Sequence, residues 1–164
     1  MKYLAYGSNM NYRQMTQRCP GAETIGTTEI EDRRLVFAGR SQGAVATIEK
    51  APGFTVPAIV WRIKPEHEKI LDAYEGFPGF YGKEMFEVWF RGDRVKIMAY
   101  VMGQRPQGGR LDTIFGAPDE SYLKSIHEGY EMVGFDHAIL DEAVRYSTEL
   151  YQKPYELNDG MKLE

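Results

Sequence analysis

The period of the apolar pattern changes along the chain, and this change restricts the fold more than any other feature. Apolar and polar residues alternate in short segments over residues 24–63 and 81–102, as they do in half-buried strands. Spacings of three and four replace the alternation at 64–76 and again after residue 118, which predicts helices. Because most strands come first and two helices come last, we expect an α+β fold rather than a doubly wound sheet.

Turn and cap signals divide these regions into elements. Asn11 and Gln14 form a capping box for a helix that ends near Arg18, and Gly76 is well placed to end the helix over 64–76. Strands are predicted at 2–6, twice within 24–38, and at 44–50, 55–63, 81–90 and 94–102, with a three-residue turn at 91–93 and further helices at about 119–132 and 136–151. We therefore expect a small, mainly antiparallel β-barrel of about five to seven strands, flanked by helices.

Charge and composition exclude several classes of partner. The 164-residue chain has a net charge of −4 and no basic run, so we expect no nucleic-acid partner. It has no apolar run of membrane-spanning length and no signal-peptide core, so we expect no membrane partner and a cytoplasmic location. The single cysteine, Cys19, excludes an internal disulfide and fits a reducing compartment. We expect one domain over 1–155 and a flexible tail over 156–164, and no pattern indicates an oligomeric state.

The stretch Tyr6-Gly7-Ser8-Asn9-Met10 ends a strand abruptly, without a spacer before the next helical pattern. Small polar residues at a strand end expose main-chain N–H groups, which suit the close approach of a small anionic ligand. The chain also contains 11 tyrosines. These are compatible either with a β-rich core or with a pocket lined by tyrosines.

Glu75 does not fit the solvated side of its predicted helix. It lies four residues after Leu71, on the apolar face, and at the helix C-terminus, where the helix dipole disfavours a carboxylate. Both effects raise the pKa of a carboxyl towards the range of a general acid or base. The alternative is a solvated glutamate at a fraying helix end, and position alone does not decide between them. Glu68 and Asp72 are predicted to lie on the solvated side.

Other candidate nucleophiles and ligands have less support. Ser8 follows a strand, but the second glycine of G-x-S-x-G is absent and no His/Asp partner is indicated. His67, His127 and His137 lack the spacing of metal ligands and are interpreted as helix-surface or core residues. Cys19 lies where a helix is predicted to end, which gives little support for a catalytic thiol. We therefore predict neither a metal nor a cofactor.

Four segments occur together in the order of a known family. They are YLAYGSNM at 3–10, GAVATI at 43–48 before the strand AIVWRI, LDAYEG at 71–76, and a strand that begins at Tyr81. In this order and spacing the chain resembles the γ-glutamylcyclotransferase-like superfamily from Tyr3 to about Met102. The combination of YGSN with LDxxEG is more specific than either motif alone.

The resemblance implies a barrel with a cavity at its mouth and a cofactor-independent reaction. In the family, the α-amine of a γ-glutamyl substrate attacks its own γ-carbonyl, which gives 5-oxoproline and releases an amine or amino acid. The Gly-Ser-Asn loop binds the substrate α-carboxylate, and the glutamate of LDxxEG is the general acid/base. These roles fall here on Gly7, Ser8, Asn9 and Met10, with Tyr6 and Tyr81 at the cavity edge, and on Glu75 as the catalytic residue.

The segment after the last predicted strand departs from the family members that act in the glutathione pathway. Those members carry Pro-Ser-x-x-Tyr-Leu, whereas this chain has Gln107 in place of the serine and Arg110 in place of the tyrosine. Arg110 is a candidate contact for an acidic substrate, and the alternative is a solvated loop arginine. Tyr100 is a candidate cavity residue, with a core tyrosine as its alternative. A non-catalytic binding or protein-interaction protein of the same fold is the alternative function, and Glu75 favours the enzyme.

Overall fold

The computed structural model describes residues 1–40, 42–102 and 114–152, and they form the α+β fold that the pattern predicts. A 3-10 turn, Ser8–Met10, follows the first strand. The strands are β1 (Lys2–Ala5), β2 (Glu23–Ala38), β3 (Val45–Arg62), β4 (Tyr81–Phe90) and β5 (Asp93–Met102). The helices are α1 (Tyr12–Arg18), α2 (Pro65–Glu75), α3 (Glu120–Val133) and α4 (His137–Gln152). The predicted tail and Arg110 lie outside the described residues.

The five strands form one mixed sheet in the order β2-β3-β1-β5-β4. β1 is central; it pairs antiparallel with β3 and parallel with β5, and the other two pairings are antiparallel. The predicted barrel is wrong, because no ladder joins the edge strands β2 and β4 in the described part of the chain. Side chains connect these edges instead: Thr28 donates to the Trp89 carbonyl, and Arg91 donates to the Ile25 carbonyl at 2.6 Å.

Two predicted turns are irregularities within long strands. β2 and β3 each run without interruption through segments that were expected to contain a turn. β2 has one extra residue between Thr24 and Gly26. At a second, wider bulge the pairing passes from Glu31–Thr55 to Arg33–Lys50, which leaves residues 51–54 of β3 opposite Asp32. At the second bulge, the Gly53 N–H donates to Asp32 Oδ1 at 2.9 Å. The glycine and proline signals therefore mark bends in a continuous strand pair rather than its ends.

The hairpin between β4 and β5 is tighter than predicted. Phe90 pairs directly with Asp93, which leaves a two-residue loop of Arg91 and Gly92. Both loop residues have positive φ, at 53° and 85°. This is the backbone of a type I′ turn, whose twist matches that of the flanking strands.

The predicted ends of the first two helices are confirmed. The Asn11 side chain accepts a hydrogen bond from the Gln14 N–H at the start of α1, and Gly76 ends α2 in the left-handed conformation with φ 65°. The buried face of α2 is narrower than its sequence pattern indicates. His67 and Leu71 are buried, whereas Ile70 and Tyr74 are largely exposed. None of the helices in the described residues is both long and apolar enough to cross a membrane.

The 3-10 turn is held between the sheet and α3. Met10 is completely buried, and α3 approaches its main chain at Gly129. A Cβ atom at Gly129 would lie 2.8 Å from the Met10 Cβ and 3.0 Å from the Met10 carbonyl carbon. The absence of a side chain at Gly129 therefore allows α3 to pack on the turn.

We predict that Gly129→Ala lowers the free energy of unfolding by about 1–3 kcal/mol, the usual cost of overpacking. Helix propensity alone favours alanine by about 1 kcal/mol, so a loss of stability identifies the clash with Met10 as the dominant effect. Denaturant unfolding measures this change. Gly82→Ala in β4 is the control, because its Cβ would have only an ordinary contact at 3.8 Å from the Val101 oxygen. A Gly129→Ala protein as stable as the wild type would contradict the prediction.

Candidate active site

A narrow cavity of about 30 Å³ lies where the end of β1, the 3-10 turn, the end of α2 and the first turns of α3 meet. Its walls are mainly phenolic. The lining residues are Tyr3, Tyr6, Gly7, Ser8, Asn9, Ala46, Glu75, Tyr81, Tyr100 and Tyr122. The cavity thus contains one carboxylate, one amide and five tyrosines, together with the main chain of the turn.

Glu75 is the acidic residue of this cavity. It occupies the last position of α2, is largely buried, and accepts a hydrogen bond from Asn9 Nδ2 to its Oε1 at 3.1 Å. Burial raises the pKa of the Glu75 carboxyl from 4.5 to about 7; the Arg18 cation and the hydrogen bond from Asn9 act in the opposite direction. Among the described residues, no donor contacts its Oε2. One carboxylate oxygen therefore remains available to a bound molecule.

The Asn9 side chain connects Glu75 to the rest of the site. Its Nδ2 also donates to the Tyr3 hydroxyl at 2.9 Å, its Oδ1 accepts from Arg18, and its main-chain carbonyl accepts from Trp61 Nε1 at 3.0 Å. Asn9 is almost completely buried. Every polar group of this side chain is thereby satisfied, as burial requires.

The cavity tyrosines are held by main-chain atoms. Tyr6 donates to the Tyr100 carbonyl at 2.5 Å, and Tyr81 donates to the Ala46 carbonyl at 2.6 Å. Burial raises the pKa of the Tyr6, Tyr81 and Tyr122 hydroxyls, so all three stay protonated near neutral pH. The Ala46 N–H donates to the Tyr122 hydroxyl at 2.9 Å. The proton of Tyr122 has no acceptor in the described part of the chain and is free to be donated into the cavity.

The 3-10 turn presents main-chain donors on one side of the cavity. Gly7 packs closely there: a Cβ atom would lie 3.2 Å from the Ala46 Cβ. The Met10 N–H is used within the turn, because it donates to the Gly7 carbonyl at 3.0 Å. The N–H groups of Ser8 and Asn9 have no acceptor among the described residues, as is usual at the start of a helical turn.

A wider groove of about 370 Å³ adjoins the narrow cavity. The two spaces share Ser8, Glu75, Tyr81 and Tyr122. The remaining lining residues of the groove are Arg40, Val45, Ala73, Tyr74, Gly76 and Phe80. Glu75 therefore lies at the junction between a small polar cavity and a larger opening.

The structure brings most of the predicted site residues together. Tyr6, Gly7, Ser8, Asn9, Tyr81 and Tyr100 line the narrow cavity with Glu75. Met10 does not line it, because its side chain lies in the core beneath α3. Arg110 lies outside the described residues.

Sequence reasoning missed Tyr3, Tyr122 and Arg18 as part of the site. The sequence pattern of Tyr3 is typical of a core residue in a strand, and that of Tyr122 is typical of a core residue in a helix. Arg18 is typical of a basic residue in the last turn of a helix. The prediction that Asp72 is solvated is wrong: the Tyr100 hydroxyl donates to Asp72 Oδ1 at 2.5 Å, and Lys83 pairs with the same carboxylate. The register does carry one signal for this cluster, because Lys83 is opposite Tyr100 in the β4–β5 ladder.

In the described part of the chain, neither Ser8 nor Cys19 hydrogen-bonds to the side chain of a histidine, aspartate or glutamate. The Ser8 hydroxyl lies 3.5 Å from the Tyr74 hydroxyl, and no histidine lines the cavity. His67 is held by the Pro20 carbonyl at 2.7 Å, in the first turn of α2. Cys19 is buried, and burial raises the pKa of its thiol. Within the described ranges, no three His, Cys, Asp or Glu side chains group as metal ligands.

Comparison with known proteins identifies the family. The family described as "Gamma-glutamyl cyclotransferase, AIG2-like" matches residues 3–124, a range that contains all but the first residue of β1, the 3-10 turn, Glu75 and Tyr122. The chain belongs to this family. The predicted resemblance is thereby confirmed.

Individual relatives of the family agree with this assignment. The gamma-glutamylcyclotransferases of Mus musculus and Homo sapiens are 33% and 34% identical over 81 and 82 residues. Each match covers 45% of this chain and 43% of the relative, so the chain spans less than half the length of the curated relatives it matches. A solved structure titled "Gamma-glutamyl cyclotransferase" superposes with a TM-score of 0.73 at 24% identity, covering 87% of this chain and 85% of that one.

A second solved structure, YkqA from Bacillus subtilis, has a TM-score of 0.69 at 20% identity, over 90% of this chain and 54% of that one. At these identities the structural likeness concerns the fold. The family's fold is therefore present over almost all of the described residues.

The raised pKa of Glu75 predicts a pH dependence of stability. Its proton is held more tightly in the folded protein, with a pKa of about 7, than in the unfolded chain, with a pKa near 4.5. The resulting stabilisation is complete below pH 4.5 and is lost as the pH rises through 7. Relative to Glu75→Gln, the wild type should lose up to about 3 kcal/mol of unfolding free energy between pH 4.5 and 8.

Urea unfolding of both proteins across this pH range measures the difference. Glu66→Gln is the matched control, because Glu66 is an exposed carboxylate on the same helix. If the wild type and Glu75→Gln keep a constant difference in stability from pH 4.5 to 8, the Glu75 pKa is not raised.

Proposed function

We propose that this protein is a γ-glutamylcyclotransferase-type enzyme, which converts a γ-glutamyl amine or amino acid into 5-oxoproline and the free amine. The observation that carries the proposal is Glu75, a partly buried carboxylate with a pKa of about 7 in a cavity of protonated tyrosines. Such a group can accept and return a proton near neutral pH. Membership of the family supports the same reaction class.

The γ-glutamyl half of the substrate is placed where the narrow cavity opens into the groove, because the cavity of about 30 Å³ is too small to hold it alone. In this proposal the α-carboxylate binds the free N–H groups of Ser8 and Asn9, which form a small anion site at the end of β1. The tyrosine walls leave little space for an extended chain. A glutamyl chain that is folded in this way brings its α-amine close to its own γ-carbonyl. Such intramolecular orientation corresponds to effective molarities of about 10⁵ M or more.

The proposed reaction needs one proton acceptor and no protein nucleophile. Glu75 removes a proton from the α-ammonium, and the neutral nitrogen attacks the γ-carbonyl carbon to form the five-membered ring. The C–N bond to the leaving group then breaks, while Glu75 returns the proton to the leaving nitrogen. The ring nitrogen still carries two hydrogens, and it passes the second proton through the regenerated Glu75 carboxylate to the released amine, which leaves as an ammonium ion. Tyr122 can donate its unused proton to the carbonyl oxygen, where negative charge develops during the attack.

The adjoining groove suits the leaving amine. It begins at Glu75, so a leaving nitrogen at the junction is within reach of the carboxylate while the rest of the leaving group extends outward. The groove offers Phe80 and Val45 as apolar contacts and Arg40 as a cation. A leaving group with a carboxylate, such as an amino acid, would match this cation better than a simple alkyl amine.

We predict that Glu75→Gln loses at least about 10²-fold in turnover, since the amide cannot transfer the proton. The assay incubates the protein with γ-glutamyl amino acids, γ-glutamyl-ε-lysine, glutathione and γ-glutamyl amines, and detects 5-oxoproline by mass spectrometry. Glu66→Gln is the matched control and should keep full activity, because it removes an exposed carboxylate of the same helix. Substantial turnover by a folded Glu75→Gln protein would contradict the mechanism. If the wild type binds γ-glutamyl ligands without turnover, the protein is a binding member of the fold.

Ser8→Ala is predicted to keep most of the activity, within about ten-fold of the wild type, because the turn acts through its main chain. Among the described residues, the Ser8 hydroxyl has a single long contact, 3.5 Å to the Tyr74 hydroxyl. Steady-state kinetics with the best substrate of the panel measure the effect, with circular dichroism to verify folding. Complete loss of activity in a folded Ser8→Ala protein would instead indicate a serine nucleophile.

A further inference from the structure

The Arg18 side chain reaches from the end of α1 to two residues of the site. Its guanidinium lies over the Tyr74 ring, 3.5 Å from the ring centroid, and its NH1 donates to Asn9 Oδ1. Tyr74 immediately precedes Glu75 on α2. Arg18 therefore contacts both the residue that hydrogen-bonds the carboxylate and the helix turn that carries it.

We propose that Arg18 is a positioning residue that fixes the Asn9 amide with its NH₂ group towards Glu75 and places a cation beside that carboxylate. The effect of Arg18 on catalysis rests on the proposed function. The effect of Arg18 on the titration of Glu75 is independent of that function and can be measured without a substrate.

The chemistry of the two side chains fixes this orientation. Arginine can only donate hydrogen bonds, so the group of Asn9 that faces it must be the carbonyl oxygen. The Asn9 NH₂ group then faces the opposite way, where it donates to the Tyr3 hydroxyl and to Glu75 Oε1. Without Arg18, a flipped amide would direct its oxygen at the carboxylate. That arrangement disfavours the ionised form of Glu75.

Arg18 is also the cation that acts on Glu75 among the described residues. The groups around the carboxyl come from every neighbouring element and are otherwise neutral. They are Tyr3 and Tyr6 near β1, Asn9 in the turn, Tyr74 on α2, Tyr81 on β4, Tyr100 on β5 and Tyr122 on α3. The acidic Glu68 and Asp72 are paired with Lys83. Burial raises the pKa of Glu75, and Arg18 limits that rise, so a substantial fraction is ionised at neutral pH.

NMR titration of the Glu75 side-chain carboxyl carbon tests the proposal directly. In Arg18→Gln we expect the Glu75 pKa to rise by about one pH unit, the lower end of the effect of a neighbouring opposite charge. Arg13→Gln is the matched control, because it removes an exposed arginine of the same helix, and it should leave the titration unchanged. A folded Arg18→Gln protein with an unchanged Glu75 titration would overturn the proposal.

The wild type provides a second measurement that needs no variant. If the Asn9 NH₂ group faces the carboxylate, its proton and nitrogen shifts should follow the titration of Glu75. Asn9 side-chain shifts that are independent of this titration would contradict the orientation, even if Arg18→Gln fails to fold.

Kinetics separate this proposal from the proposed function. Because Glu75 acts as a base when ionised, the acidic limb of kcat/KM should move to higher pH in Arg18→Gln, in step with the NMR titration. A merely structural role would lower stability without moving that limb. If no γ-glutamyl compound is turned over but the Glu75 pKa rises in Arg18→Gln, the function fails and the positioning role holds. If turnover occurs and neither the limb nor the titration moves, the positioning role fails.

Discussion

The Asn9 amide makes contacts on which the arrangement of the site depends. A buried amide must have all of its donors and acceptors satisfied, and Asn9 achieves this with Tyr3 on β1, Arg18 on α1 and Glu75 on α2. Its main chain receives a further hydrogen bond from Trp61 on β3. Two of these four partners, Glu75 and Trp61, are 66 and 52 residues away from Asn9 in the chain. The hydrogen-bond requirement of one side chain therefore fixes the relative positions of the sheet and two helices.

The same packing places Glu75 where a carboxylate is least favoured. The end of α2 and the phenolic walls withdraw it from water, and a pKa near 7 is the result. Because the folded protein favours the protonated form, ionisation at neutral pH lowers its stability. A surface glutamate would avoid this cost but would titrate well below the range in which it can both accept and donate a proton. The lower stability of the folded protein at neutral pH and the acid–base capacity of Glu75 thus have the same physical cause, the withdrawal of this carboxylate from water.

Local signals in the sequence predicted the parts of the fold that depend on local interactions. The sequence predicted the Asn11 cap, the end of α2 at Gly76 and the abrupt turn after β1. It also indicated Glu75, because this residue breaks the polar–apolar pattern of its helix. The parts of the fold that depend on the pairing of distant strands were not predicted. The bend within β2 was expected to be a turn, and closure into a barrel was expected although the edge strands β2 and β4 do not pair in the described residues. Tyr122 contacts Ala46, which is 76 residues away in the chain. Arg18 contacts Asn9, which is nine residues away. The sequence pattern predicted neither contact.

The position of Glu75 at the junction of two spaces explains how one carboxylate could serve both halves of the proposed cyclisation. The α-ammonium that loses a proton and the leaving nitrogen that gains one flank the same carbonyl carbon, so both lie close together when the glutamyl chain is folded. A carboxylate enclosed in the narrow cavity would reach only the first nitrogen, and one in the open groove would be fully solvated, with a lower pKa. At the junction, Glu75 Oε1 is held by Asn9, and Oε2 has no donor among the residues that the structure describes. The free oxygen can therefore collect the proton on one side and return it on the other without movement of the helix.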